Sequence, residues 1–445
     1  MAPRFFRSCS PVNVFSPPAR PTARCPSAYN TVVRPRRCGL LLLLLSLSLA
    51  TPPATSQILL KPAQEGETVM LMPSDMAILE AADGRKDLPC TVLDRKAELG
   101  FDLRFHSGFD VTLPLRELAG DSQLLTVVFR AYAVDNPTHP VYFVQHFQVP
   151  TVEEDAKGDA TLQGGMDVGE GKYHIDWLMR DKSERICSSS WEVEATLSPK
   201  DKPMPLFIAP NHIAESSRHP FLDDATSAGS HSSQDNLNVK LLVNFAPQDS
   251  TSASLRRTDT DALVSILKEI ERDPRVAHIS LVAFNVEETR IFYRQETAEQ
   301  IDLPALGKAL QTMKLGTVDV QRLGQKHSET DFLENLITTE IGTAAHPDAV
   351  IFAGPKVMLS ADVPQDELRR IGNIECPVFY MNYILNPQTI PWKDSISHAI
   401  RTFKGTEFTI SRPRDLWFST TEMVSRIVRR KREKALMTAA TGSSQ

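Results

Sequence analysis

The chain has 445 residues, 41% of them hydrophobic and 23% charged, an ordinary globular composition with length for two or three domains. Its formal charge of −6 is unevenly spread: residues 1–56 hold seven arginines and no acid, so the remainder carries −13. An acidic body of this kind argues against a protein that tracks nucleic-acid phosphates.

The first 56 residues form a basic leader. A leucine-rich run at 40–50 is followed by Ala54-Thr55-Ser56, a small-x-small cleavage signal before Gln57. This is the pattern of a signal peptide, which predicts a mature chain starting near Gln57 in a secreted or periplasmic compartment. The run is too short to span a bilayer and nothing later is long enough, so no transmembrane helix is expected in the mature chain. Arg36-Arg37 lacks the rest of a twin-arginine motif. Cys9, Cys25 and Cys38 fall in the leader; of the other three, Cys90 and Cys187 share one β-rich segment and form the expected disulfide, and Cys376 is expected as a buried free thiol. No C-x-x-C spacing suggests zinc.

Residues 57–198 alternate short β-type runs with turn signals, at 68–72, 101–105, 110–113, 124–130, 141–147, 172–178 and 191–195. The spacing predicts an antiparallel, immunoglobulin-like sandwich. The stretch from Gly165 to Tyr173 has some features of a phosphate loop, but Met166 and Tyr173 stand where glycine and a hydroxyl residue are needed, and a hairpin turn is the better reading. Residues 199–237, rich in Pro and then Ser, read as a partly disordered linker. His212, His219 and His231 are scattered through it as solvated residues.

At 239 the period changes. A buried strand at 239–245 precedes an amphipathic helix at 261–270, with Thr258 or Asp259 able to cap it. Strands follow at 276–284 and 289–295, helices near 302–314 and 329–344, and strands at 349–352 and 377–383. A helix at 394–403, a strand at 407–410 and a helix at 413–434 close the series, with 436–445 as a disordered tail. This alternation predicts an α/β domain over 238–435, a mostly parallel sheet with helices on both faces. The basic run from Arg426 to Lys434 complements the last helix dipole and reads as a solvated face.

The order of these elements, with an adjacent strand pair at 276–284 and 289–295, resembles the von Willebrand A fold, Rossmann-like and doubly wound. In that family a D-x-S-x-S loop, a later threonine and a fourth-strand aspartate hold a divalent cation. Here the first loop reads Asn244-Phe245-Ala246-Pro247-Gln248-Asp249-Ser250, Thr330 matches the threonine, and Ala353-Gly354-Pro355 replaces the aspartate. The resemblance therefore implies a degenerate site, with Asn244, Asp249, Ser250, Thr330 and Asp331 as the residues through which a cation would bind if the lengthened loop rebuilt it. Thr330 and Ser328 also suit a helix N-cap.

No G-x-S-x-G, H-E-x-x-H or catalytic carboxylate pair asks for an enzyme, and no cofactor other than that conditional cation is called for. The expectation is a secreted, non-enzymatic protein-interaction or adhesion module of the von Willebrand A-like type, independent of metal, with an extracellular or envelope protein as partner. An exported enzyme or hydrolase accessory factor is the alternative, and a structural envelope protein the third reading.

Overall fold

The structure, a computed structural model, describes residues 57–60, 71–81, 84–216, 220–221, 235–249, 252, 254–315, 327–342, 347–372, 374, 376–389, 391 and 393–442. The leader with its cleavage signal and three cysteines, residues 68–70, the serine-rich part of the expected linker with His219 and His231, and Ser250 lie outside the described residues.

Alternating apolar residues build two antiparallel sheets from the first half. The five-stranded sheet has the order β1-β5-β4-β7-β8, from Gln57–Leu60, Val141–Val149, Gln123–Ala133, Gly171–Arg180 and Ile186–Ala195. The four-stranded sheet has the order β2-β3-β6-β9, from Thr91–Leu99, Phe105–Pro114, Asp159–Val168 and Ile213–Glu215. Inward residues of both sheets share one core, in which Phe109 meets Trp177 at 5.3 Å and Phe129 at 5.7 Å between ring centroids. Each such buried ring contributes about 2–3 kcal/mol. Gly164 lets β6 pass this cluster, since a Cβ there would sit 2.1 Å from the Phe109 ring. Cys90, just before β2, is joined to Cys187 on β8 with Cα atoms 6.2 Å apart, so the expected disulfide ties one sheet to the other. Helix α1, Pro73–Ala81, lays Leu79 over Val128, Val144, Leu178 and Ile186 on the outer face of the five-stranded sheet.

Several expectations for this half are corrected. Leu71 and Met72 lead into α1 and are not strand, and residues 101–104 form the tight turn between β2 and β3, closed by Gly100 N–H on Arg104 O at 2.8 Å. The turn before β7 is shorter than expected, because residues 164–168 belong to β6. The described part of the linker is ordered: Met204 and Ile208 are buried, and β9 pairs with β6.

The second half forms a mixed six-stranded sheet of order β12-β11-β10-β13-β14-β15. Its strands are β10 Leu237–Asn244, β11 Val276–Asn285, β12 Arg290–Ala298, β13 Ala349–Pro355, β14 Val378–Tyr383 and β15 Thr406–Ile410. Only β12 runs antiparallel; β13, β14 and β15 extend the sheet on the other side of β10. Strands such as β13, buried at every residue, face helices on both sides. On one face pack α2 (Arg257–Glu271), α3 (Leu303–Leu310) and α7 (Pro413–Gly442), through residues such as Leu263, Leu306 and Ile427. On the other lie α4 (Ser328–Gly342), α5 (Gln365–Arg369) and α6 (Ser395–Arg401), through Leu333, Leu368 and Ile396.

Details differ from expectation here too. Helix α2 begins at Arg257 without a side-chain cap, because Asp259 is fully buried in an ion pair with Arg256 at 2.9 Å. Helix α7 runs to Gly442, through most of the expected tail. Its basic run is not only a solvated face: Lys431 binds Asp348 at 2.8 Å and Asn236 O at 2.9 Å, and Arg432 binds Asp235 at 2.8 Å, fastening α7 to the entry of β10. Cys376 is a free thiol but only half-buried. Among the described residues no helix is long and apolar enough to cross a membrane.

Residues from Ala54 onward form one compact unit, and the two halves meet along a built seam. Phe101, at the β2–β3 tip, packs against the α/β core, and Trp417 of α7 packs against the sandwich core. Arg272 lies 4.1 Å over the Phe207 ring, and Arg414 pairs with Asp201 at 3.7 Å.

Candidate functional site

The carboxyl ends of parallel strands carry unpaired backbone groups and diverging loops, the usual place for ligands in open α/β sheets. Asn244 ends β10 there, fully buried. Its Oδ1 accepts from Val286 N–H at 3.2 Å, while Asn285 Nδ2 donates to Phe245 O at 2.7 Å. The two amides stitch the ends of β10 and β11 together. On the other side, Gly354 (φ +156°) brings β13 so close that a Cβ at this position would lie 2.9 Å from Asn244 Cβ and 3.0 Å from Asn244 O. A side chain at 354 would force one of these groups to move.

Beyond β10 the chain turns toward β14. Gln248, almost fully buried, accepts from Leu385 N–H at 2.7 Å and Asn386 N–H at 3.1 Å, and donates to Asn386 O at 2.5 Å. This carries Asp249 into the neighbourhood of Arg256, whose guanidinium it helps hold charged after the larger effect of Asp259. Thr330 lies buried in the first turn of α4, and its hydroxyl donates to Ala361 O at 2.9 Å in the loop after β13; Asp331 is exposed. The hydrogen bonds of Asn244 and Thr330 thus go to backbone, Asp249 lies toward Arg256, and Asp331 is exposed.

A polar group that the sequence reading did not single out lies between β13, β14 and α6. Glu407 accepts from Asn382 Nδ2 at 2.7 Å and Ser397 Oγ at 2.6 Å, with Lys356 Nζ at 3.4 Å. Burial pushes the neighbouring Asp394 carboxyl up to about 6, with the Glu407 charge adding to it, although Asp394 also caps α6 by accepting from Ile396 N–H at 3.2 Å. The acids were legible in the sequence, but nothing in their spacing placed 394 beside 407.

Another cluster of charged side chains lies in the sandwich, at the seam. His106 on β3 faces two aspartates: Nδ1 is 2.7 Å from Asp167 Oδ1 on β6, its registered neighbour, and Nε2 is 2.9 Å from Asp102 Oδ1 in the tip. Arg104 Nη1 stands 3.8 Å from Asp167 Oδ2, and Asp167 is fully buried. Burial alone would lower the His106 pKa; its bonds to both carboxylates override that and raise it to about 10. Burial alone would raise Asp102, but His106 and Arg104 hold it below the ordinary carboxylate range. One His and two Asp within 4.8 Å form a possible metal-ligand set, yet each ring nitrogen faces its own carboxylate and a single ion takes only one nitrogen. The sequence reading missed this cluster because it took 101–105 as strand and 165–168 as turn.

No family model matches the chain, and no curated protein matches it. Among solved structures it is similar to a point mutant of the PilB minor pilin from Streptococcus sanguinis, at 9% identity over 80% of this chain and 95% of the pilin, with a TM-score of 0.26. The pilin without that mutation matches at 9% identity over 68% of this chain and 87% of its own, also at 0.26. A calcium-binding mutant of Bacteroides uniformis beta-glucuronidase 2 matches at 9% identity over 71% of this chain and 38% of its own, at 0.17. Similarity this low carries no argument about fold or function.

Proposed function

We propose that this chain is an exported, non-enzymatic interaction protein: an immunoglobulin-like sandwich joined to a von Willebrand A-like domain whose cation site has been replaced by neutral contacts. The observation that carries the reading is the approach of Gly354 to Asn244. A Cβ at 354 would meet Asn244 Cβ at 2.9 Å, while the Asn244 amide oxygen accepts from Val286 N–H and the Thr330 hydroxyl donates to Ala361 O. Hard cations bind through carboxylate charge, so this donor set does not fit the divalent ion that the family resemblance implies. The mixed sheet with one antiparallel edge pair supports the family reading, and a disulfide between sheets supports an oxidising compartment. The partner class is an extracellular or envelope protein, met by the loops at the carboxyl edge.

Calorimetry with Mg²⁺ and Mn²⁺ on the exported full chain tests this, with no saturable heat expected. Saturable micromolar binding that disappears in Asp249→Ala or Asp331→Ala would mean that the lengthened loop rebuilds the site. An exported enzyme is the second reading, favoured by the raised Asp394 beside Glu407. Turnover in a hydrolase substrate screen that is lost in Asp394→Asn would put it first.

A further inference from the structure

The cluster around His106 sits where the sandwich touches the α/β half. Asp102 lies in the β2–β3 tip, flanked by Phe101, which packs against the α/β core, and by Leu103, held at φ +60°. The Leu103 carbonyl accepts from Phe207 N–H at 3.2 Å, and Phe207 lies beneath Arg272 at the end of α2. Whatever fixes Asp102 therefore fixes the segment by which one half grips the other. We propose that the two halves act as one rigid body, latched at this tip by a protonated His106 held between Asp102 and Asp167.

Two ionised carboxylates at these distances are matched by the imidazolium. A neutral ring has one N–H, so one of the two contacts would place a lone pair against a carboxylate oxygen at less than 3 Å; the cation donates to both. Charge balance agrees. Three carboxylates (Asp102, Asp167 and, from α2, Asp261) face three cations (His106, Arg104 and Arg257), with Asp261 close enough to feel both Asp102 and His106. Glu98, opposite His106 on β2, is exposed and adds little. The upward pKa shift of His106 follows from the same contacts, and it keeps the latch closed across neutral pH.

The inference is independent of what the carboxyl edge binds. It replaces a flexible tether between two modules with a fixed angle between two surfaces, so a partner spanning both meets a preorganised site and not merely a raised local concentration.

NMR on the exported full chain tests it. The His106 ring signals should stay at their protonated positions through about pH 8 and move only near pH 10, and amides of the two halves should report one rotational correlation time. In His106→Gln, amide exchange at residues 100–104 and 201–207 should accelerate about tenfold or more, with the amides of β4 and β7 unchanged. Titration of His106 near its ordinary value, separate correlation times in the parent protein, or unchanged exchange at the tip in the variant would each overturn the latch. So would stoichiometric Zn²⁺ binding through His106. Should the variant fail to fold, the parent titration and correlation times decide alone.

Discussion

At the carboxyl edge of the six-stranded sheet, Asn244, Gln248 and Thr330 bond backbone groups of neighbouring loops, whereas at the seam His106, Asp102, Asp167 and Arg104 face one another. Neutral groups on backbone shape loops and leave little field; charges facing charges in a half-buried site set both energy and pH response. Around Asn244 that edge is held by neutral contacts, with its charges at Arg256–Asp259 and at Glu407, whereas at the seam four charged side chains converge.

The largest effect should come from Asp167→Ala. Asp167 is fully buried, and its loss leaves His106 and Arg104 short of a carboxylate, so urea unfolding should show destabilisation of about 3–5 kcal/mol. A change under 1 kcal/mol, on the order of a surface substitution, would remove the contrast between the two regions.

Gly354→Asp places a carboxylate near the end of β13. Because the new Cβ meets Asn244 at 2.9 Å and the backbone is in a region that side chains avoid, it should destabilise by about 2–4 kcal/mol and create no Mg²⁺ binding. A stable variant that binds Mg²⁺ would show that the edge is only one residue from function.

The next effect is in the pH profile. The folded His106 pKa, about 10, lies above the unfolded value, so its contribution is fully present below the ordinary histidine pKa of about 6.5 and declines as pH rises toward 10. Water screens a side chain that is 39% exposed, so the slope should be modest. Thermal melts from about pH 6 to about pH 10 should show it in the parent and not in His106→Gln; parallel profiles would place the pH response elsewhere.

The smallest is Thr330→Val. It removes one neutral hydrogen bond to Ala361 O and should cost about 1 kcal/mol, with binding of any partner insensitive to chelation in both forms. Partner binding that becomes sensitive to EDTA only when Thr330 is present would reinstate a metal role for that hydroxyl.

Hydrophobic period told where the mixed sheet begins and which segments are its strands, since a fully buried parallel strand such as Ala349–Phe352 is apolar along its length whatever surrounds it. The pairing of Cys90 with Cys187 was legible for a similar reason: two thiols in one β-rich segment had few other partners. Strand β2 was not legible, because TVLDRKAEL on an exposed edge has no clean alternation, nor was β6, whose glycines suggested a turn until Phe109 explained them. Caps were misread where a local ion pair outcompeted them, as at Asp259 with Arg256 three residues before it.

By itself, then, the sequence determined most strands and helices of the second half and the absence of a carboxylate at 244 and 353–355, because these follow from local period and residue identity. Only the tertiary structure decided what the remaining polar residues do. His106 and Asp167 are 61 residues apart and become a charge pair through the register of β3 on β6. Asn244 and Gly354 are still farther apart in the chain and meet because β10 and β13 are neighbours in the sheet. Register and strand order bring distant residues within bonding range, and no local pattern records them.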